Sequence, residues 1–228
     1  METLLITKET PEEILKQKKK AILNFFNMNS LFFYTKNKRY QQIISQKHNI
    51  NFPDSRIIST KLKIPQQRGP SFTRRFLLSK HSKIKKHFFI GPTNENIKKL
   101  SEVTKIPLKN LNSYNPPYIK ELEFSEKEVK KISSLIKKAN PDFVWVCVGS
   151  PKQDILANHL FKKHKCFYLT IGAAIDFLLG KKKESPEIFT KMGVEGIYRF
   201  FTDFSKNSWK KSWRSFFALN YLGGVRVR

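Results

Sequence analysis

Residues 141–160 read PDFVWVCVGSPKQDILANHL, and residues 166–180 read CFYLTIGAAIDFLLG. Each segment contains an apolar run, at residues 143–148 and 166–171, and each run stops at a glycine turn. The residues between the two runs have the polar character of a helix. Strand, glycine turn, helix, strand and glycine turn in this order predict a parallel α/β unit. Ligands of such sheets bind at the carboxyl ends of the strands. The polar residues after the turns are therefore the first candidates for chemistry: Lys152, Gln153, Asp154 and Asp176.

The same alternation of segments continues towards the N-terminus. It predicts an α/β, Rossmann-like layered fold with a mainly parallel sheet flanked by helices, plus a helical C-terminal appendage. Further strands are expected at residues 4–6, at 31–34, around Phe52 and at 87–90. Helices are expected after a cap at Thr10 and at residues 38–47, 71–78, 93–100, 125–138 and 186–201. Residues 56–64 have no clear assignment.

The composition favours a folded domain with anionic partners. Apolar residues make up 39% of the chain and aromatic residues 13%, which is enough to bury a sizeable core. Lysine and arginine outnumber aspartate and glutamate by 44 to 18, and the net charge of +26 suits nucleic acid, anionic lipid or phosphate-bearing substrates. A lysine-rich surface without a function of its own is the alternative. Cys147 and Cys166 fall in predicted strands and are expected to be core thiols.

The chain is predicted to divide into an α/β domain at residues 1–203 and a basic, aromatic tail at residues 204–228. No stretch reaches the roughly 20 apolar residues of a membrane span, and the N-terminus does not have the pattern of a secretory signal. A helical tail would place its aromatic residues on one side with cations beside them, which is typical of a helix on a membrane surface. Docking of these aromatic residues on the main domain is the alternative. The residues concerned are Trp209, Trp213, Phe216 and Phe217, with Lys206, Lys210 and Arg214 beside them.

Several common functional motifs are absent from the sequence. It has neither a GxxxxGK[ST] nor a GxGxxG loop, and it has no HExxH or Asp-x-Asp motif. Its five histidines are scattered, so we expect no metal site. What remains is a set of polar residues at the ends of predicted strands: Thr35, Asn37, Asp54, Arg68, Gln153 and Asp176. Each has a structural alternative, such as a turn cap at Asp54 or an ion pair at Asp176.

Residues 141–154, PDFVWVCVGSPKQD, resemble the PD-apolar-VGLGxPKQE motif of the WecG/TagA/CpsF glycosyltransferases, also called glycosyltransferase family 26. Residues 171–180, IGAAIDFLLG, are similar to the family's G[GA]AFDFxxG. Further matches follow the family's order: TxN at Thr35 and Asn37, RxRGPDF at 67–72, YSPP at 114–117, and a motif of the form AP…GLEWxYR at 185–199.

The resemblance implies an inverting, metal-independent transfer of a sugar, of an N-acetylhexosamine type, from a UDP-sugar to a polyprenyl-diphosphate-linked saccharide. Such enzymes act in cell-surface polysaccharide or teichoic-acid-type biosynthesis. We therefore expect a cytoplasmic protein that is peripheral at the inner face of the plasma membrane. The anionic surface of that membrane is a further expected partner. The resemblance implies no cofactor, and no nucleic acid is expected as a partner. An oligomer is possible.

The family match also implies a role for each matching residue. Asp54 would be the base that takes the proton of the acceptor hydroxyl. Arg68 and Lys152 would meet the negative charge of the departing UDP. The other implied roles are acceptor binding by Thr35 and Asn37, hydrogen bonding to sugar or diphosphate by Gln153, and a nucleotide-pocket or loop role for Asp176. For the basic tail, the hypothesis is that Trp209 and Trp213 lie at the headgroup level of the membrane and that Arg199 or Arg214 approaches the acceptor or donor phosphates.

The sequence departs from the family pattern after Asp54. The family's PDGxG is PDSRI at residues 53–57, so both glycines are lost. Glycines at such positions let the backbone approach a ligand closely. A catalytically degenerate member that binds a UDP-sugar or a lipid is therefore one alternative function. A basic nucleic-acid-binding protein is another, since the net charge alone would support it.

Overall fold

The computed structural model describes residues 3–17, 19–182 and 213–227. Its strands are β1 (Leu4–Ile6), β2 (Ile22–Phe26), β3 (Asn49–Pro53), β4 (His87–Ile90), β5 (Leu111–Tyr114), β6 (Phe143–Val146), β7 (Phe167–Thr170) and β8 (Val225–Val227). Its helices are α1 (Pro11–Lys16), α2 (Met28–Lys36), α3 (Lys38–Ile44), α4 (Arg56–Leu62), α5 (Gly69–Leu78), α6 (Lys80–Lys83), α7 (Asn94–Thr104), α8 (Glu126–Ala139), α9 (Lys152–Lys163) and α10 (Ala174–Leu178). Residues 213–218 are also helical and form a C-terminal helical segment.

Six strands form one parallel sheet in the order β3-β2-β7-β6-β4-β5, with helices on both faces. The predicted α/β class and the C-terminal helix are thereby confirmed. Among the described helices, none has both the length and the apolar character of a membrane-spanning helix.

Two hydrophobic layers cover the faces of the sheet. On one face, α5 packs its Phe72 and Phe76 against Trp145 of β6, and their ring centres lie 6.5 Å and 5.7 Å from that of the tryptophan. On the other face, α8 and α9 cover Val144 and Tyr168, both fully buried. Burial on both faces explains why β6 and β7 are continuous apolar runs rather than alternating ones.

A buried network of amides replaces apolar contacts between β2, β3 and α9. Asn24 Nδ2 donates to Asn49 Oδ1 at 2.9 Å and to Asn51 Oδ1 at 3.0 Å, and Asn24 Oδ1 accepts from Thr170 Oγ1 at 3.0 Å. Asn158 of α9 joins the network by donating to Asn49 Oδ1 at 3.1 Å. All five side chains are at most 5% exposed. Their hydrogen bonds fix the register of β2 between β3 and β7.

The predicted strand at residues 31–34 is wrong. The strand is Ile22–Phe26, and residues 31–34 lie in α2. Asn24 does not interrupt the apolar run, because its amide is satisfied inside the sheet. Asn27 ends the strand and caps α2, since its side chain accepts from the Ser30 N–H.

The sequence also did not predict β5 at residues 111–114, whereas the remaining predicted strands and helices in the described residues coincide with observed elements. Thr10 and Glu13 form a reciprocal capping box at α1. Ser125 accepts from the Glu128 N–H at α8, whereas the Glu128 carboxylate accepts from Tyr114 Oη instead. Residues 56–62 are helical, and the predicted helix at residues 186–201 lies outside the described residues. Both cysteines are free thiols, with Cys166 buried and Cys147 half-buried.

The end of the chain returns to its beginning. β8 pairs with β1 in parallel, with Val225 opposite Leu4, and both residues are buried. The C-terminal helical segment lies against α2, where the Arg214 guanidinium is 4.7 Å from the centre of the Phe33 ring. The described part of the tail therefore contacts the α/β domain, while the boundary between residues 1–203 and 204–228 stays a prediction.

The amide network predicts a large cost for removing its central member. Asn24→Ala should lower the free energy of unfolding by about 2–4 kcal/mol, because it removes three buried hydrogen bonds and takes the Asn24 donor away from Asn51 Oδ1. Urea denaturation measures the change, and Asn115→Ala in an exposed loop is the matched control. A loss equal to that of the control would contradict a structural role for the network.

Candidate active site

All six strands of the main sheet are parallel, so their carboxyl ends lie along one edge of the sheet. We call the residues that follow β2–β7 the carboxyl edge. Its segments begin at Asn27, Asp54, Gly91, Asn115, Cys147 and Ile171. Parallel pairing thus places residues that are far apart in sequence along one edge, and the candidate site residues that follow these strands lie there.

Asp54 directly follows β3 and is held against the start of α5. Its Oδ1 accepts from the Gly69 N–H at 2.9 Å, and its own N–H donates to Phe26 O at 3.0 Å. Arg68 caps α5 and immediately precedes Gly69. A Cβ atom on Gly69 would lie 3.3 Å from the Phe25 ring, so glycine allows this close approach. The structure therefore brings Asp54 and Arg68 together, and both are half-buried.

The turn between β6 and α9 is anchored by a buried carboxylate. Asp154 Oδ2 accepts from Tyr40 Oη at 2.7 Å and from Ser150 Oγ at 3.0 Å. Ser150 Oγ also lies 3.0 Å from Ser30 Oγ of α2. Burial raises the pKa of Asp154 from 3.8 to about 6, although the hydrogen bonds from Tyr40 and Ser150 act in the opposite direction. One side chain thus connects α2, α3 and the turn that precedes Lys152.

Gln153 connects the two glycine turns. Its side chain is buried, its Nε2 donates to Thr170 O at 3.1 Å, and its Oε1 accepts from the Gly172 N–H at 2.8 Å. Gly172 has a positive φ of 55°, which suits glycine in this turn. Gln153 therefore holds the end of β7 next to the start of α9. Its predicted contact with sugar or diphosphate stays a prediction.

Lys152 reaches across the carboxyl edge to the loop after β5. Its Nζ donates to Ile119 O and lies 5.1 Å from the centre of the Tyr118 ring. Asp176 lies in α10, where its Oδ2 is 3.5 Å from Lys182 Nζ. Both residues are close to the strand ends, and their predicted roles are untested by these contacts.

Thr35 and Asn37 lie at the far end of α2, about 12–15 Å along the helix from the strand end. Thr35 Oγ1 donates to Phe32 O at 2.8 Å, and Asn37 Oδ1 accepts from the Tyr40 N–H at 2.9 Å. The neighbouring Lys36 Nζ donates to Tyr221 Oη at 3.0 Å. These two candidates therefore lie next to Lys36, which contacts Tyr221 near the end of the chain, and away from the strand end that precedes Asn27.

The tail candidates are only partly described. Trp213 is exposed, and Arg214 lies over the rings of Phe32 and Phe33. Arg199 and Trp209 lie outside the described residues.

Sequence reasoning missed Tyr40 and Ser150 as partners of Asp154, and Ser30 as a partner of Ser150. A hydroxyl in a polar helix or a glycine turn has no distinguishing pattern, so no sequence signal could have found them. Within the described ranges there is no cluster of three or more histidine, cysteine, aspartate or glutamate side chains able to hold a metal ion.

Comparison with known proteins identifies a family for this chain. The model of the "Glycosyl transferase WecG/TagA/CpsF family" matches residues 4–222. The chain is 27% identical over 181 residues to an N-acetylglucosaminyldiphosphoundecaprenol N-acetyl-beta-D-mannosaminyltransferase of Staphylococcus aureus strain NCTC 8325, covering 76% of this chain and 69% of the relative. A relative with the same name from strain MRSA252 is 25% identical over 180 residues, with the same coverage of both chains.

The raised pKa of Asp154 predicts a pH-dependent stability. Below about pH 4 the carboxyl group is protonated in both states, whereas between about pH 4 and 6 the unfolded chain ionises first. The wild type should therefore lose up to about 3 kcal/mol of unfolding free energy relative to Asp154→Asn as the pH rises through this range. Urea denaturation of both proteins across the range measures the difference.

Tyr40→Phe provides a second test of the same carboxylate. It removes a hydrogen bond that favours the ionised form, so the loss of stability with rising pH should become larger. If the difference between wild type and Asp154→Asn stayed constant from pH 4 to 7, Asp154 would ionise alike in the folded and unfolded states.

Proposed function

The chain belongs to the WecG/TagA/CpsF family of glycosyltransferases, and on that premise we propose that it transfers an N-acetylhexosamine-type sugar from a UDP-sugar to a polyprenyl-diphosphate-linked saccharide. The names of the Staphylococcus aureus relatives support this acceptor class, because their acceptor is an N-acetylglucosaminyldiphosphoundecaprenol. We propose a role in the synthesis of a cell-surface polymer, with inversion at the anomeric carbon. The observation that carries the proposal is the position of Asp54 beside Arg68 at the carboxyl edge.

Asp54 is proposed as the catalytic base. The acceptor hydroxyl loses its proton as its oxygen attacks the anomeric carbon, and a carboxylate within hydrogen-bond reach accepts that proton. The Gly69 N–H bond to Oδ1 fixes the plane of the Asp54 carboxylate. A fixed carboxylate needs no reorientation when the acceptor arrives, which favours the transfer step.

The departing UDP needs cations and N–H groups at its diphosphate. Arg68 at the start of α5 is the first candidate, and Lys152 at the start of α9 is the second. The N-termini of α5 and α9 both lie at the carboxyl edge, and their backbone N–H groups add favourable dipoles for an anion. Arg199 is a further candidate from the family match.

The lost glycines after Asp54 do not strain the backbone. Ser55 takes φ −85° as the N-cap of α4, and residues 55–57 are not among the described positions with positive φ. Serine, arginine and isoleucine therefore fit this segment without the left-handed conformation that would require glycine. Sugar transfer by the wild type, in the assay below, separates an active enzyme from the degenerate alternative.

We further propose that the C-terminal segment contacts the membrane. Trp213, Phe216 and Phe217 are each at least 50% exposed and lie together, with ring centres about 6 Å apart along the series. Aromatic residues beside cations bind the headgroup region of a bilayer, and an anionic leaflet attracts the basic chain. The enzyme would then act at the inner face of the plasma membrane, where a lipid-linked acceptor lies.

Asp54→Asn should lower the rate of sugar transfer by about 10²–10⁴-fold, because the amide cannot accept the acceptor proton. The assay measures UDP release with a lipid-diphosphate-linked N-acetylglucosamine acceptor and UDP-N-acetylmannosamine. The variant should still bind the donor, because the oxygen of the introduced amide can still accept from the Gly69 N–H. A thermal-shift measurement of the protein with and without the donor monitors this binding. Asp142→Asn, which changes the same group at the opposite edge of the sheet, is the control. Transfer by the Asp54 variant at the rate of the control would exclude Asp54 as the base.

Replacing Trp213, Phe216 and Phe217 together by serine should weaken binding to phosphatidylglycerol vesicles roughly tenfold or more, because three exposed apolar side chains no longer enter the bilayer. Vesicle co-sedimentation measures the partition. The matched control is Ile84→Ser with Leu108→Ser, which removes exposed apolar side chains elsewhere. Equal vesicle binding by the two variants would contradict the membrane contact.

A further inference from the structure

The lysines of this chain are concentrated at one edge of the sheet. We call the six residues that precede each of β2–β7 the amino edge; these segments are 16–21, 43–48, 81–86, 105–110, 137–142 and 161–166. Their described residues include 14 lysines, and Asp142 is the one carboxylate among them. The first six residues after each of the same strands hold three cations and three carboxylates, all of them described. Between these two sets of described segments, the excess of positive charge lies at the amino edge, opposite the candidate active site.

The amino edge is exposed and has little internal compensation. All its described lysines are exposed except Lys83 and Lys85, which are half-buried. Within the described part of these segments one ion pair is present, between Lys85 Nζ and Asp142 Oδ1 at 3.6 Å. Unneutralised like charges at this density repel one another and create a strong positive potential.

Helix dipoles explain only part of this arrangement. Lysines in the last turn of a helix stabilise its negative end. Six of the described lysines occupy such positions: Lys16, Lys83, Lys137, Lys138, Lys162 and Lys163. The other eight lie outside the α-helices, although Lys109 is in a short 3-10 helix at residues 108–110: Lys19, Lys20, Lys47, Lys85, Lys86, Lys105, Lys109 and Lys165.

We propose that the amino edge is a binding surface for a linear phosphate polymer. Its cations are lysines, with no arginine in the six segments. Lysine acts as a point charge, whereas arginine provides the planar fork that selects individual carboxylates or phosphates. The surface therefore responds to charge density along a ligand. Six strands at about 4.8 Å spacing give an edge about 24 Å wide, which matches an extended chain of phosphates and exceeds a single one.

The geometry favours a polymer over a membrane or an acidic protein. Protein interfaces depend on clustered aromatic anchors, and the exposed large apolar residues of the amino edge are Ile84 and Leu108 within the described segments. A bilayer at the amino edge would place the acceptor on the wrong side of the sheet. This last step rests on the proposed function, since it assumes that the membrane meets Trp213 and its neighbours.

The test compares two variants of equal net charge in the full-length protein. The amino-edge variant replaces Lys47, Lys86, Lys109 and Lys163 by glutamine, one lysine in each of four segments. The control variant replaces Lys61, Lys98, Lys120 and Lys127 by glutamine; these lysines are exposed and lie outside the amino edge. Fluorescence anisotropy with labelled long-chain inorganic polyphosphate measures affinity over a salt series.

The amino-edge variant should bind polyphosphate roughly tenfold or more weakly than wild type, and the slope of log affinity against log salt should fall by about 3. The control variant should stay within about threefold of wild type. Equal losses in both variants would show that the charge acts diffusely, and the proposal would be wrong.

Two further ligands distinguish the source of the phosphates. Mixed-sequence single-stranded DNA should compete with polyphosphate and lose affinity in the same variant, because the shared feature is the phosphate chain. DNA binding that survives the amino-edge change would overturn the proposal. So would a loss of phosphatidylglycerol-vesicle binding greater than that of the Trp213, Phe216 and Phe217 variant, which would make this edge the membrane face. Sugar transfer by the amino-edge variant should equal that of wild type, so that a failure here is separable from a failure of the glycosyltransferase mechanism.

Discussion

Parallel pairing of the six central strands is the constraint from which the rest of the molecule follows. After each strand the chain must return to the opposite edge before the next strand begins, so helices cover both faces and the central strands β6 and β7 are mostly apolar. The same rule sends every strand end to one edge. Asp54, the Ser150 turn and Gly172 follow three different strands of this sheet, so they lie along the same edge although they are distant in sequence. The chemistry proposed for this glycosyltransferase depends on that edge, because the proposed base and cations come from the segments after two different strands: Asp54 and Arg68 after β3, and Lys152 after β6.

Helix α9 is positioned by directional contacts as well as by apolar packing. Its first two turns bury three polar side chains, Gln153, Asp154 and Asn158, and each hydrogen-bonds a different neighbour. Apolar packing tolerates small rotations of a helix, whereas three hydrogen bonds to separate elements do not. The ionised Asp154 carboxylate is costly in this buried setting. In return, the N-terminus of α9 has one orientation relative to the ends of β6 and β7, which a transition-state contact to a diphosphate requires.

The sequence predicted the C-terminal half of the described sheet well, because β6, α9 and β7 are separated by glycine turns and differ sharply in polarity. Prediction failed at residues 22–34 for a definable reason. Asn24 resembles a break in an apolar run, and only its tertiary partners Asn49 and Asn51 reveal that it belongs inside a strand. That error also moved Thr35 to a strand end, whereas the structure puts it at the far end of α2. Tyr40, which donates to Asp154 from α3, is equally non-local, so the local pattern around Asp154 does not reveal it.

The separation of charge between the two edges has a consequence for catalysis. Strands of four to five residues span about 13–17 Å, roughly twice the screening length of about 8 Å in physiological salt. The lysines of the amino edge are therefore largely screened at the carboxyl edge. A diphosphate bound there as proposed would meet a few positioned groups, such as Arg68 and the start of α9, and the first six residues after each strand have balanced charge. Stabilisation by positioned groups acts on the charge that develops during transfer, whereas a general positive field would bind substrate and product equally and retain the departing UDP.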